Sequence, residues 1–395
     1  MTALSIISAL IGLIIYPFVI RMTGKEAYGT YVYAFTIATF FQVIFDFGFD
    51  SPCAKAVVQA RDDLGERSRI VSSVLVLKSA LILLCGLIFA LCLRYVPFMH
   101  NNRLLCLITF VQLAATSLFP VWYFQGMKKM KHVTFINLGL RIATIPLILW
   151  LVRSPQDINS YALITMGAIG LGTFIAYIHL FMDGIRLQRI TGNRLRRLFH
   201  EALPFFATSL TSNIKSLSVK AIIKHWFGIG EVAVYDLAEK IITIPRFFTQ
   251  NINGALFPEV VANATPERVR RILKYERLIG VSFTILIAAL SYPAVLLLGG
   301  QQMMEAVFIT VILSTTIYTW LVTGAYINFV FIPANRYYII TLNQLIAFLS
   351  CVLTALCGLL VWRDISMVAL AIMISGFAEV LFCRLMATPK NIPSA

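Results

Sequence analysis

Charge is scarce in this chain: of 395 residues, 13% are Asp, Glu, Lys or Arg, against 59% hydrophobic and a mean hydropathy of +0.83. That balance belongs to a chain dissolved in lipid and excludes an ordinary soluble globule. No Cys-x-x-Cys pair occurs among the seven cysteines, and most of them lie inside apolar runs, so they are expected to pack as small hydrophobes. There is no His-Glu-x-x-His, no phosphate-binding Gly-x-x-x-x-Gly-Lys-Ser/Thr loop and no Gly-x-Ser-x-Gly elbow, so no metal, cofactor or catalytic kit is indicated. The first apolar run, Ala3 to Ile20, lacks a small-residue cleavage site and leads into another span, so it is expected to be retained as a helix.

What is abundant is long apolar runs. Twelve are long enough to cross a bilayer, near 3–20, 31–50, 70–93, 104–126, 133–152, 161–182, 202–226, 231–257, 277–298, 304–332, 338–362 and 365–386. The expected fold is therefore an all-α polytopic membrane protein of about twelve transmembrane helices. The basic connection splits it into an N-terminal six-helix lobe over 1–182, a cytoplasmic loop over 183–200, a C-terminal six-helix lobe over 201–386 and a tail over 387–395. With both termini cytoplasmic, the inner connections hold 20 Lys and Arg and the outer ones seven, which sets the orientation. This bias accounts for most of the +15 net charge and points to anionic lipid headgroups, not nucleic acid. Pro266 followed by Arg268, Arg270, Arg271 and Lys274 predicts a short amphipathic helix on the cytoplasmic surface.

Six Lys and Arg fall within spans: Lys78, Arg141, Lys215, Lys220, Lys240 and Arg246. At roughly 2.5 to 3.5 kcal/mol each at mid-bilayer, they are expected to face a wet interior. Thr208, Thr211, Ser212, Lys215 and Ser218 follow helical steps of three and four, as do Asp236, Glu239, Lys240, Thr243, Arg246, Gln250 and Asn253. Arg141 shares a face with Asn137 and Thr144. Acids in or near spans number four, Asp46, Asp236, Glu239 and Glu379, so bases exceed them by two, which suits a pyrophosphate. The structural alternative is pairing, for example of Asp236 with Lys240 four residues on.

The run Pro120-Val121-Trp122-Tyr123-Phe124-Gln125-Gly126-Met127-Lys128-Lys129-Met130-Lys131 closely resembles the Pro-x-Trp-aromatic-aromatic-Gln-Gly-x-Glu-x-Met signature of Wzx-type polysaccharide flippases, with Lys128 in place of the Glu. Gly24 to Gly29, Asp46-Phe47-Gly48-Phe49, Tyr235 to Lys240 and Ala255-Leu256-Phe257-Pro258 are similar to further landmarks of that family, in order. The resemblance implies the two-lobed fold of the multidrug/oligosaccharidyl-lipid/polysaccharide (MOP) exporter superfamily in the bacterial inner membrane. It implies a transporter, not an enzyme, that moves undecaprenyl-pyrophosphate-linked oligosaccharide, an O-antigen repeat unit or a relative, from the cytoplasmic to the periplasmic leaflet by alternating access.

On that reading the substrate-contacting residues are Arg141, Lys215, Arg246, Lys240, Lys78, Thr211 and Gln250. Asp236, Glu239, Glu379 and Asp46 are candidates for coupling to a proton or sodium gradient, and Pro120, Trp122, Gln125 and Gly126 carry the family motif. Partners would be the lipid-linked oligosaccharide, membrane lipids, a polysaccharide polymerase and a chain-length regulator. Three alternatives stand beside it, one of them a noncatalytic assembly subunit, which would move no lipid-linked sugar in liposomes. A drug or cation antiporter of the same superfamily should have an acidic or aromatic cavity, and a membrane-embedded polymerase or glycosyltransferase should have an outer loop long enough to hold a catalytic site.

Overall fold

Apolar residues this dense leave the backbone no water to bond with in lipid, so it must satisfy itself within helices. The computed structural model describes the backbone of residues 2–262, 266–334 and 336–387, with side chains at all of these but 2–14, 208, 211, 212, 247–262, 266, 268 and 337. Helix is the only regular structure among them. The chain divides into two compact units, Met1–Asn213 and Ile214–Ala395.

The first unit begins with α1 (Thr2–Asp46), two helices joined across Gly24, whose φ of 79° breaks the helical path. After the turn at Phe47 and Gly48 come α2 (Asp50–Gln59), α3 (Leu64–Tyr95), α4 (Pro97–Asn101), α5 (Arg103–Leu118), α6 (Val121–Gly126), α7 (Met130–Leu151) and α8 (Ile158–Met182). Asp63 starts α3 by accepting from the Glu66 amide at 2.9 Å, satisfying a first-turn donor. Pro120 separates α5 from α6 because it has no N–H to offer the preceding turn.

The division between the units falls inside α9 (Gly192–Phe227). Then follow α10 (Ile229–Ala262), α11 (Pro266–Gly299), α12 (Ala306–Tyr326) with a π-turn at Ile327–Phe331, α13 (Tyr337–Val361) and α14 (Ile365–Met386). The basic connection is helical from Gly192 onward, so only its first part lacks regular structure. The amphipathic surface helix predicted from Pro266 is not separate. It is the first turns of α11, whose 34 residues extend about 50 Å and so outreach a hydrocarbon core of about 30 Å.

Nine helices among the described residues are long and apolar enough to span by themselves. α9, which carries Lys215 and Lys220, and α10, which carries Asp236, Glu239, Lys240 and Arg246, are not among these nine. With these two, and with α1 counted as two, the helices reproduce the twelve expected spans.

Inside lipid there is little hydrophobic drive between helices, and close packing takes its place. In the first unit the aromatic signature supplies it: Trp122, Tyr123 and Phe124 are buried with Cys53, Val57, Val71 and Leu180. In the second unit Val322, Ala325, Phe329, Phe331 and Cys383 form the corresponding cluster. Small residues let helices touch there: a methyl added at Gly280 would lie 3.1 Å from the Cα of Tyr318, and at Gly376 2.5 Å from the Thr319 hydroxyl. All seven cysteines are free and five are buried, as packing residues would be.

Candidate functional site

The ionisable side chains within the spans differ in burial and in what holds them. Lys78 is 2% exposed. Its ammonium donates to Asp46 Oδ1 at 3.2 Å, to Asp50 Oδ1 at 3.3 Å and to the Ser117 carbonyl at 2.8 Å, which occupies all three N–H bonds. Asp46 also accepts from the Ser117 hydroxyl. In this arrangement Lys78, expected to contact substrate, has no N–H left to offer one. Asp46, expected to couple an ion, is likewise held by a lysine.

Arg141 is the twelfth of the 22 residues of α7, about 16 Å from either end. It is exposed, and so is Asn137 one turn before it. Thr144, the third member of that face, is buried and donates to the Arg141 carbonyl at 2.8 Å. α7 is otherwise apolar at this depth, so the surface around Arg141 and Asn137 must be wetted, since lipid would reject both.

In the second unit the two polar stripes meet acids. Lys215 on α9 donates to Glu379 of α14 at 2.9 Å, both side chains being about one-fifth exposed. Lys220 lies 3.0 Å from Asp236 and 3.0 Å from Glu239 on α10, and Lys240 reaches the second oxygen of Asp236 at 2.8 Å. The i,i+4 pairing of Asp236 with Lys240 is thus present, within a chain of four charges. Arg246 donates to the Thr316 hydroxyl and lies over the Trp320 ring, 5.3 Å from its centre. Four bases and three acids leave this set with one positive charge in excess. The side chains of Thr211 and Gln250 lie outside the described residues.

The family motif turns out to be architecture. Gly126 lies against α2 so closely that a methyl there would stand 2.8 Å from Val57 Cγ1 and 2.9 Å from the Ala54 carbonyl. Trp122 is 3% exposed, Pro120 is buried and Gln125 is exposed. Tyr123, fully buried, accepts from Arg67 at 3.3 Å and donates to Asp183 at 3.4 Å. Lys129 closes the chain on Asp183 at 2.6 Å. Lys128, where the signature has Glu, is exposed at a left-handed φ of 59°.

Sequence reasoning missed Asp50 and Ser117 as partners of Lys78. The i,i+4 spacing of Asp46 and Asp50 could have signalled the acid; a backbone carbonyl carries no signal. It also missed a hollow of about 750 Å³ in the first unit, where Lys55, Gln59, Asp63, Glu66, Arg194 and Glu201 offer mixed donors and acceptors.

The profile of a family described as "Polysaccharide biosynthesis protein" matches residues 1–263. A protein of Escherichia coli (strain K12) that bears the name O-antigen transporter is 24% identical over 301 residues, covering 75% of this chain and 71% of the relative. Its namesake from Shigella dysenteriae is 24% identical over 253 residues, 62% of each chain. Among solved structures, the lipid II flippase MurJ in an inward closed conformation superposes with a TM-score of 0.78 at 14% identity, over 98% of this chain and 86% of that one. An inward-facing multidrug resistance MATE family transporter of the MOP superfamily gives 0.67 at 14% identity, over 98% and 100%. At such identities the structural likeness speaks for the fold.

Proposed function

Because this chain belongs to the polysaccharide biosynthesis protein family and has the MOP-exporter fold, we propose that it is a flippase for undecaprenyl-pyrophosphate-linked oligosaccharide, carrying an O-antigen or related repeat unit from the cytoplasmic to the periplasmic leaflet. The observation that carries this reading is the exposed Arg141 and Asn137 at mid-height of an apolar helix. An arginine there, at roughly 2.5 to 3.5 kcal/mol in lipid, is retained where it meets water and an anion, and a pyrophosphate is such an anion. In the second unit Lys215, Lys220, Lys240 and Arg246 outnumber Asp236, Glu239 and Glu379 by one charge, and the Thr, Ser and Asn neighbours of this set can hydrogen-bond sugar. The isoprenoid tail needs only lipid.

The relatives' names, O-antigen transporter, support the cargo, and the excess of Lys and Arg on one set of connections supports cytoplasmic termini in a multi-pass inner-membrane protein. Coupling to a proton or sodium gradient, and association with a polymerase and chain-length regulator, belong to the same proposal. The antiporter alternative would need acids open to a cation, whereas Asp46, Asp236, Glu239 and Glu379 each hold a lysine. A liposome assay decides. Purified protein should move an undecaprenyl-pyrophosphate-linked oligosaccharide to the opposite leaflet faster than protein-free vesicles do, and equal rates would refute the proposal.

A further inference from the structure

A buried carboxyl on α11 stands apart from the ion pairs described above. Glu276 on α11 is 1% exposed, and neither of its oxygens has a hydrogen-bond partner. One turn on, Gly280 lets α11 press on the backbone of Tyr318, so this face of α11 abuts α12. The two helices are consecutive and antiparallel, so a turn back from Gly280 to Glu276 corresponds to a turn forward from Tyr318 to Val322, itself fully buried.

Among the described residues no side chain or backbone group donates to Glu276. α12 has no charged residue from Ala306 to Tyr326. Its ionisable groups are Tyr318 and Tyr326, and the Tyr326 hydroxyl accepts from Arg277 at 2.9 Å. Thr323, next to Val322, has a buried hydroxyl that is also without a partner. The short turn Gln301–Met303, which also packs on α11, has no ionisable group. On α10 the described ionisable side chains are Glu231, Tyr235, Asp236, Glu239, Lys240 and Arg246, of which Asp236, Glu239, Lys240 and Arg246 are engaged as described above. On its own helix the residues one turn away are Ile272, Leu273, Ile279 and Gly280, and the nearest ionisable ones are Lys274, Tyr275 and Arg277.

A carboxylate deprived of water and of every donor is far costlier than the neutral acid, and a buried polar group left so needs an explanation. We propose that Glu276 is the proton-binding site through which transport is coupled, holding its proton in this conformation and releasing it when α11 and α12 part and water reaches the carboxyl. The step is –COOH to –COO⁻ plus a proton given to water on the side that opens, reversed on closing. It replaces Asp46, Asp236, Glu239 and Glu379 as the coupling acid, because a lysine already neutralises each of those. This inference rests on the flippase reading.

Two measurements on the full chain in liposomes test it. At neutral pH the infrared spectrum should contain a protonated-carboxyl C=O band that disappears in Glu276→Gln and stays in Glu267→Gln, an exposed acid on the same helix. No band lost in Glu276→Gln overturns the proposal. With a fluorescent undecaprenyl-pyrophosphate-linked monosaccharide as probe, a pH difference of about one unit should bias the wild-type leaflet ratio about tenfold for one proton per cycle. Glu276→Gln, isosteric with the neutral acid, should equilibrate the probe with no bias; a wild-type bias in this variant overturns the proposal. A wild type that moves no probe at all refutes the flippase reading, and the infrared band then decides the protonation of Glu276 alone.

Discussion

Replacing Lys78 by Met removes an ammonium that is 3% exposed and holds three acceptors. Breaking a buried ion pair from one side costs about 3–5 kcal/mol, because the partner charge stays behind without compensation. Here the remainder is uneven. Asp50, with a side chain 63% exposed, regains water and contributes about 0–1 kcal/mol, whereas Asp46 at 32% and the Ser117 carbonyl regain little. The expected loss is therefore near the lower bound, about 3 kcal/mol, read as a fall of several degrees in the melting midpoint in detergent. Adding Asp46→Asn should bring stability back to within about 1 kcal/mol of wild type, since a neutral pair of similar size replaces the ionic one. The double variant should also still transport, because Lys78 has no donor left for substrate. Equal melting of Lys78→Met and wild type, or a double variant weaker than the single, would refute this reasoning.

Gly126→Ala should destabilise by about 1–3 kcal/mol and lower the amount of protein in the membrane, because its methyl meets Val57 and the Ala54 carbonyl at under 3 Å. Tyr123→Phe should cost about 1 kcal/mol in the melting midpoint by cutting the link from Arg67 to Asp183. Lys215→Met should lower the midpoint by leaving Glu379 alone, and the exchanged pair Lys215→Glu with Glu379→Lys should restore most of it; failure of the exchange to restore anything would mean the pair does not hold α9 to α14.

Hydropathy was enough to count the spans, since a helix that crosses lipid must be apolar along its length whatever it packs against. The stripes on α9 and α10 were also legible, because helical spacing sets Lys215 with Ser218, and Asp236 with Lys240, on one side. Partnership across the fold was not. Lys78 finds Asp46 from 32 residues away and Lys215 finds Glu379 from 164 away, and a transfer cost says that a charge needs company without saying whose. Glu276 shows the opposite failure: it follows a basic stretch that reads as surface, yet packing of its helix leaves it 1% exposed. The aromatic signature pointed to a family while its side chains serve packing, so a motif legible in sequence need not be the site.

Arg141 remains the residue on which the account turns. Its side chain is exposed, so Arg141→Ala should leave the melting midpoint within about 0.5 kcal/mol of wild type. Losing a charge-assisted hydrogen bond of about 1.5–3 kcal/mol should weaken binding of undecaprenyl pyrophosphate by about ten- to 150-fold, with transport falling in step. Measuring that affinity for wild type and Arg141→Ala in the same lipid is the most direct test: a loss in this range is the result predicted, and equal affinities would contradict it.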